Sequence, residues 1–337
     1  MTKRSGWALL MLGALAACDG RQTALGPAGR HAQQFYDLFQ LFVWVCAIMY
    51  VIVIGFMIAA IVRRGGRRRD GVADRGRGDE GPLTTVFVGW IAFITVGLVA
   101  LTLSSYFTDR AGAAAGSNPS HITIELTAQQ WWWDVKYDDP TASNGIRTAN
   151  ELHLPVGVPV HIILKSPDVI HSLWIPNLAG KQDLIPGRQQ DITLVPTRTG
   201  IFRGQCAEYC GVQHAHMALD VTVEPRAQFD AWRAAQLAPA PAPANPLQQA
   251  GMQYVTTREC SVCHAITGTP ANGSVGPDLT HVASRRSIAA GTFPMSRGHL
   301  YAWIADPQGA KPGTNMPYIG LAPQDLHAVV AYLESLK

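Results

Sequence analysis

"QCAEYCGVQHAHM", Gln205 to Met217, places two cysteines, a glutamate, two histidines and a methionine within thirteen residues. Cysteines four apart admit two readings. They can close a disulfide, which suits an oxidising compartment, or they can offer two thiolates to a metal. Thiolate, thioether and imidazole together favour copper over hard cations. A mononuclear blue-copper site uses one Cys, two His and a weak axial Met, so Cys206 and Cys210 are one thiolate too many for that pattern. Two thiolates can instead bridge two coppers, each completed by one imidazole and one weak ligand. His214 and Met217 lie within the loop, with His216 as a competing imidazole. A candidate from elsewhere in the domain is His171 in "SPDVIHSLWIP" (Ser166–Pro176).

Around this loop the pattern is β. "HITIEL" from His121 alternates apolar and polar residues, as a half-buried strand does. "VPVHIILK", "QDITLVP" and "ALDVTVEP" repeat the theme, separated by Pro and Gly. Short strands at this spacing predict an all-β sandwich or Greek-key barrel over residues 116–233.

Downstream, "APAPAPANP" (Ala238–Pro246) marks a boundary, within an Ala/Pro linker at 234–246. Alternating Ala and Pro favours a polyproline-like spacer, and at about 3.1 Å per residue it reaches nearly 30 Å. Residues 247–337 read as an all-α module. "PQDLHAVVAYLESL" puts Leu326, Val329, Val330 and Leu333 on one helical face. "CSVCH" is Cys260-x-x-Cys263-His264. Alone, C-x-x-C fits a redox disulfide or half a zinc site. The attached His fits covalent haem c, with thioethers from the two cysteines and iron bound by the imidazole. A second axial ligand is expected, with Met252, Met295 and Met316 as candidates; methionine there suits electron transfer.

Upstream, Lys3 and Arg4 precede an apolar stretch, Trp7–Ala17, as in an export signal over 1–17. Two uncharged runs follow, Leu41–Val62 (22 residues) and Leu83–Phe107 (25 residues). Each is long enough to cross a hydrocarbon core of roughly 30 Å, giving a two-span hairpin within 30–110. Seven arginines between Arg63 and Arg77 separate the runs. They place that loop in the cytoplasm and both soluble domains outside. Their position between apolar spans, with a formal net charge of only +3, argues against nucleic acid as partner. The apolar runs hold no histidine or carboxylate, so any redox or proton chemistry within the membrane belongs to another subunit.

Three resemblances follow. "LAAC" (Leu15–Cys18) resembles a bacterial lipobox, which implies lipidation of Cys18; an ordinary cleavage site or an uncleaved anchor is the alternative. The C-terminal module resembles class I cytochromes c. That family carries its distal Met in an "MP" turn, which points to Met316 in "TNMP", and a proline carbonyl that orients the proximal His, which points to Pro277 in "GPDL".

The third is the widest. C-x-x-x-C-x-x-x-H-x-x-M with an upstream His resembles the binuclear CuA centre of cytochrome c oxidase subunit II. Two spans, "QQWWWDVKY", "HSLWIPNLAGKQDLIPGR" and "CAEYCGVQHAHM" occur in that family's order over about residues 30–235. With the haem module, the chain resembles subunits II that carry a fused cytochrome c domain. The resemblance implies a transmembrane hairpin and a cupredoxin-like Greek-key domain. It implies copper ligands His171, Cys206, Cys210, His214, Met217 and the carbonyl of Glu208. The Glu208 side chain corresponds to a ligand for magnesium shared with subunit I, and Trp131 to the aromatic through which electrons reach CuA. His216 matches no ligand position. The family often has a glutamate where Phe87 stands, so no proton-uptake role carries over.

The expected function is subunit II of a proton-translocating cytochrome c oxidase in a bacterial inner membrane. It takes electrons from cytochrome c or a quinol–cytochrome c reductase and passes them to subunit I, with subunit III alongside. The rivals are a CuA subunit of a nitric oxide or nitrous oxide reductase and a non-enzymatic copper-binding lipoprotein. A quinol oxidase subunit, which has the fold without copper, is disfavoured by the complete ligand set.

Overall fold

The computed structural model describes residues 20–67, 81–116, 122–141 and 144–337. The export signal, Cys18, residues 68–80 of the arginine-rich loop and His121 lie outside the described residues. Helix α1 (Arg30–Arg67) and helix α2 (Gly81–Gly116) both run beyond the apolar stretches. Each contains a segment long and apolar enough to cross a membrane, Arg30–Arg63 and Thr84–Arg110. A helix satisfies its own backbone polar groups, so it can present only apolar side chains to lipid. Trp44 (66%), Phe56 (72%) and Val86 (71%) are accordingly exposed. Residues 34–115 form one compact unit; the residues on either side form the other.

The second unit contains two five-stranded sheets. One has the order β3 (Ile146–Ala149), β2 (Trp132–Asp138), β1 (Ile122–Gln129), β5 (Val160–Lys165), β8 (Gln190–Leu194). The other has β4 (Glu151–Pro155), β10 (Ala218–Glu224), β9 (Gly200–Cys206), β6 (His171–Trp174), β7 (Gln182–Leu184). Strand alternation builds the core: Ile124, Leu126, Trp133 and Val135 face inward and are fully buried. Asn150 turns the chain from one sheet to the other. It holds φ 59°, a left-handed conformation that Asn tolerates, and its Oδ1 accepts from Trp133 N at 2.9 Å.

Residues 20–33 are strapped to the same domain. Asn177 accepts from Thr23 N at 3.2 Å and donates to Gly26 O at 2.9 Å. Gly29 passes so close to Leu178 that a Cβ would lie 2.4 Å from its carbonyl oxygen. Helix α3 (Arg226–Gln236) closes the domain, burying Phe229 and stacking Trp232 on His153 at 4.1 Å.

The Ala/Pro stretch lies against the helical module. Ala240 N donates to Thr267 O at 3.0 Å, and the Ala238 carbonyl lies 3.0 Å from His281 Nε2. Asn245 then caps α4 (Pro246–Thr257), with Pro at its first turn. Next come α5 (Cys260–Cys263), α6 (Arg297–Ala305), α7 (Pro307–Ala310) and α8 (Pro323–Leu333). Helices α4 and α8 cross at Gly251, where a Cβ would sit 2.0 Å from Ala328 O. Leu326, Val329, Val330 and Leu333 of α8 are buried in this core.

Candidate metal centre and haem cavity

Strand β6 pairs with β9 so that Leu173 lies opposite Cys206. That register delivers His171 to the cysteine loop from 35 residues away. The sulfurs of Cys206 and Cys210 are 3.7 Å apart, well beyond a disulfide bond of about 2.05 Å. His171 Nδ1 lies 3.8 Å from Cys206 Sγ, His214 Nδ1 3.6 Å from Cys210 Sγ, and Met217 Sδ 3.9 Å from Cys210 Sγ. The Glu208 carbonyl is 3.2 Å from Cys206 Sγ. His171, Cys206, Cys210 and Met217 are all at most 2% exposed.

Two free thiols, two imidazoles, a thioether and a carbonyl converging in a buried pocket fit a soft, binuclear copper site. The contact between the two sulfurs draws the Cys206 thiol down, aided by His171, and pushes the Cys210 thiol up.

Asp168 was not singled out in the sequence, although it stands three residues before His171. Its Oδ1 accepts from His171 Nε2 at 2.9 Å, which leaves Nδ1 facing Cys206. Burial works against the charge of Asp168, but hydrogen bonds from His171, Val169 N and Gln130 N together outweigh it and the carboxyl is held low. His216 is exposed and its ring bonds Gln213 Oε1 at 2.8 Å, away from the sulfurs. The Glu208 carboxylate reaches Lys181 Nζ at 3.4 Å.

Trp131 is 7% exposed and donates through Nε1 to the Cys210 carbonyl at 2.9 Å; Gln130 Nε2 donates to the same oxygen at 2.6 Å. Trp131 also lines a mainly apolar cavity of about 1430 Å³, its open mouth included. The same cavity is lined by Cys260, Cys263, His264, Pro277 and Met316. His264 Nδ1 donates to the Pro277 carbonyl at 2.7 Å, which leaves Nε2 for a ligand in the cavity. Gly276 makes room for this ring, since a Cβ there would fall 2.8 Å from it. Met252 and Met295 pack in the module core instead. Arg285, also on the cavity wall, is buried and already engaged: its Nε lies 3.7 Å from Glu151 Oε1 and its guanidinium donates to the Asp278 carbonyl. A large apolar cleft holding two free thiols, an oriented imidazole and a thioether fits a haem.

Fold and site together define a protein with two helices long and apolar enough to cross a membrane, a cupredoxin-like domain and a helical cytochrome c domain. Residues 140–224 match the family described as "Cytochrome C oxidase subunit II, periplasmic domain", and residues 248–337 match "Cytochrome c". A relative named cytochrome c oxidase subunit 2, from Alkalihalophilus pseudofirmus, is 33% identical over 96% of this chain and 94% of its own length. The protein of that name from Bacillus subtilis is 27% identical over 94% and 92%. Among solved structures, the periplasmic domain of subunit II of cytochrome oxidase of Bradyrhizobium japonicum is 28% identical. It covers 35% of this chain and 94% of its own, with a TM-score of 0.33.

The chain belongs to the cytochrome c oxidase subunit II family and carries a cytochrome c domain. That family implies a CuA copper centre, a haem and association with the other subunits of a haem–copper oxidase. The apolar helices near the N-terminus fit a membrane anchor, with the folded domains outside the cell.

Proposed function

We propose that this chain is the electron-accepting subunit of a terminal oxidase in a bacterial inner membrane. An electron received in the cytochrome module crosses the Trp131 contact to the cysteine loop. It leaves on the Glu208 side toward subunit I, where O2 is reduced to water with proton translocation. The observation that carries this reading is Trp131 itself. One indole lines the cavity that holds Cys260, Cys263, His264 and Met316, and it hydrogen-bonds Cys210.

His171, Cys206, Cys210, His214, Met217 and the Glu208 carbonyl would hold the copper pair. Cys260, Cys263, His264 and Met316 would hold the haem. When bound, these groups supply reversible one-electron storage. The chain's residues do the rest. Asp168 and the Pro277 carbonyl fix two imidazoles in one tautomer, so the donors move little on redox change. Burial of Cys206, Cys210 and Met217 keeps water from reorganising around them. The resemblance-based magnesium role of Glu208 requires oxygen ligands from another subunit. Within this chain the carboxylate has Lys181 beside it at 3.4 Å, so magnesium would be held there only with oxygen ligands from subunit I.

The physiological donor is a cytochrome c or a quinol–cytochrome c reductase, and Cys18 is a candidate lipid attachment. Purification with partner subunits should yield two coppers and one haem c per chain, with oxygen uptake driven by reduced cytochrome c. Cys210→Ser should abolish the mixed-valence copper EPR signal; a normal signal in that variant overturns the assignment. Consumption of nitric oxide or nitrous oxide in place of O2 would favour the reductase alternative.

A further inference from the structure

Lys311 is 2% exposed. Its ammonium donates to three backbone carbonyls: Trp131 O at 2.7 Å, His216 O at 2.7 Å and Ala289 O at 3.1 Å. Three N–H groups meet three acceptors, so the donor is saturated. Two of those carbonyls belong to the β domain and one to the cytochrome module. Burying an ammonium this deeply is costly, and desolvation draws Lys311 down to about 7.

The residues that follow Lys311 continue the contact. Gln213 Nε2 donates to Pro312 O at 2.8 Å, and Asn315 Nδ2 donates to Gln130 O at 3.2 Å. Gly313 passes the Trp131 ring, where a Cβ would lie 3.5 Å from it. Met316 then enters the cavity wall. On the module side, Ala289 and Ala290 both hold left-handed backbone, φ 52° and 57°. Residues with a Cβ keep that conformation only where surroundings demand it. Here it presents Ala289 O to Lys311 and Ala290 O to Ala218 N at 2.9 Å.

We propose that Lys311 is the positioning residue that docks the cytochrome module on the cysteine loop and holds Trp131 between the haem cavity and Cys210. The inference rests on the electron-relay reading above and adds what makes the relay efficient. A tether alone raises encounter frequency but leaves orientation open. Lys311 selects one orientation, through a compact ammonium whose three donors match three carbonyls. The planar Arg fork does not match them equally well.

The test uses the assembled oxidase with Lys311→Met and Lys311→Arg. Amide hydrogen exchange of segments 210–217 and 311–316 reads docking. Photochemical injection of an electron into the haem, followed by its transfer to copper, reads function. Lys311→Met should lower protection in both segments about tenfold or more, since a charge-assisted hydrogen bond lost at an interface is worth at least that factor. Transfer should slow, with copper EPR, haem spectrum and both potentials unchanged, and Lys311→Arg should fall between Met and wild type. Unchanged protection, or lost protection with unchanged transfer, overturns the proposal. So does slowing that tracks a changed haem or copper spectrum. Should Lys311→Met fail to assemble, Lys311→Gln provides the same comparison with a neutral donor. Absence of haem-to-copper transfer in the wild type would count against the relay reading, while the exchange measurement still judges the docking.

Discussion

The indole N–H of Trp131 and the side-chain amide of Gln130 converge on one acceptor, the carbonyl of Cys210, at 2.9 and 2.6 Å. A single backbone oxygen of the cysteine loop is thereby held by two neighbouring residues of the other sheet's rim. The loop cannot shift without moving the aromatic that borders the haem cavity.

Trp131→Phe should therefore separate contact from hydrogen bonding. The ring still fills space, and the loss of one hydrogen bond costs about 1 kcal/mol. Trp131→Ala leaves a cavity and should cost about 3–5 kcal/mol. Thermal unfolding should show that order, and electron transfer from haem to copper should slow more in Ala than in Phe. Equal rates in Phe, Ala and wild type would remove Trp131 from the path.

Asp168→Asn should weaken copper retention without removing a ligand. The carboxylate that accepts from His171 Nε2 fixes the ring, and loss of such an orienting partner costs about 10–100-fold in metal affinity. Competition with a chelator measures it directly, with copper occupancy falling at lower chelator concentration than in wild type.

The pH dependence of stability should carry the signature of one buried cluster. His153 Nδ1 lies 2.9 Å from Glu224 Oε1, and its Nε2 lies 3.8 Å from Glu151 Oε2. Burial opposes charge on His153, but the Glu151 and Glu224 carboxylates together outweigh it and raise the group above its ordinary 6.5. Burial also opposes charge on Glu151, yet His153 and Arg285 hold it below its ordinary 4.5. The His153 contribution is full below 6.5 and is lost as pH rises through its raised value. The Glu151 contribution is full above 4.5 and is lost as pH falls through its lowered value. Unfolding temperature against pH should show His153→Gln flattening the alkaline decline and Glu151→Gln flattening the acid one. A wild-type slope on the alkaline side in His153→Gln would assign that decline to other groups.

Gly251→Ala should destabilise the cytochrome module. The added Cβ meets the Ala328 carbonyl at 2.0 Å, and overpacking of this kind costs about 1–3 kcal/mol. Haem incorporation and the module's unfolding temperature should both fall, while the copper signal persists.

Much of the site is legible in the sequence because its ligands are local. Cys206, Cys210, His214 and Met217 share one loop, and Cys260, Cys263 and His264 one helical turn, so spacing alone sets their reach. Strand alternation and the α8 stripe are likewise written in side-chain periodicity. Those local patterns, with the two long apolar runs, determined the kinds of element and the donor sets the chain could offer a metal or haem. Tertiary structure decided what crosses between elements. Strand register brings His171 to Cys206 and Asp168 behind it. Packing of the module sets Met316, rather than Met252 or Met295, on the cavity wall. Nothing about a lone lysine in "GAKPG" marks it as buried. Lys311 gains its role only where two domains bring three carbonyls to one ammonium, because a hydrogen bond depends on position in space and not on distance along the chain.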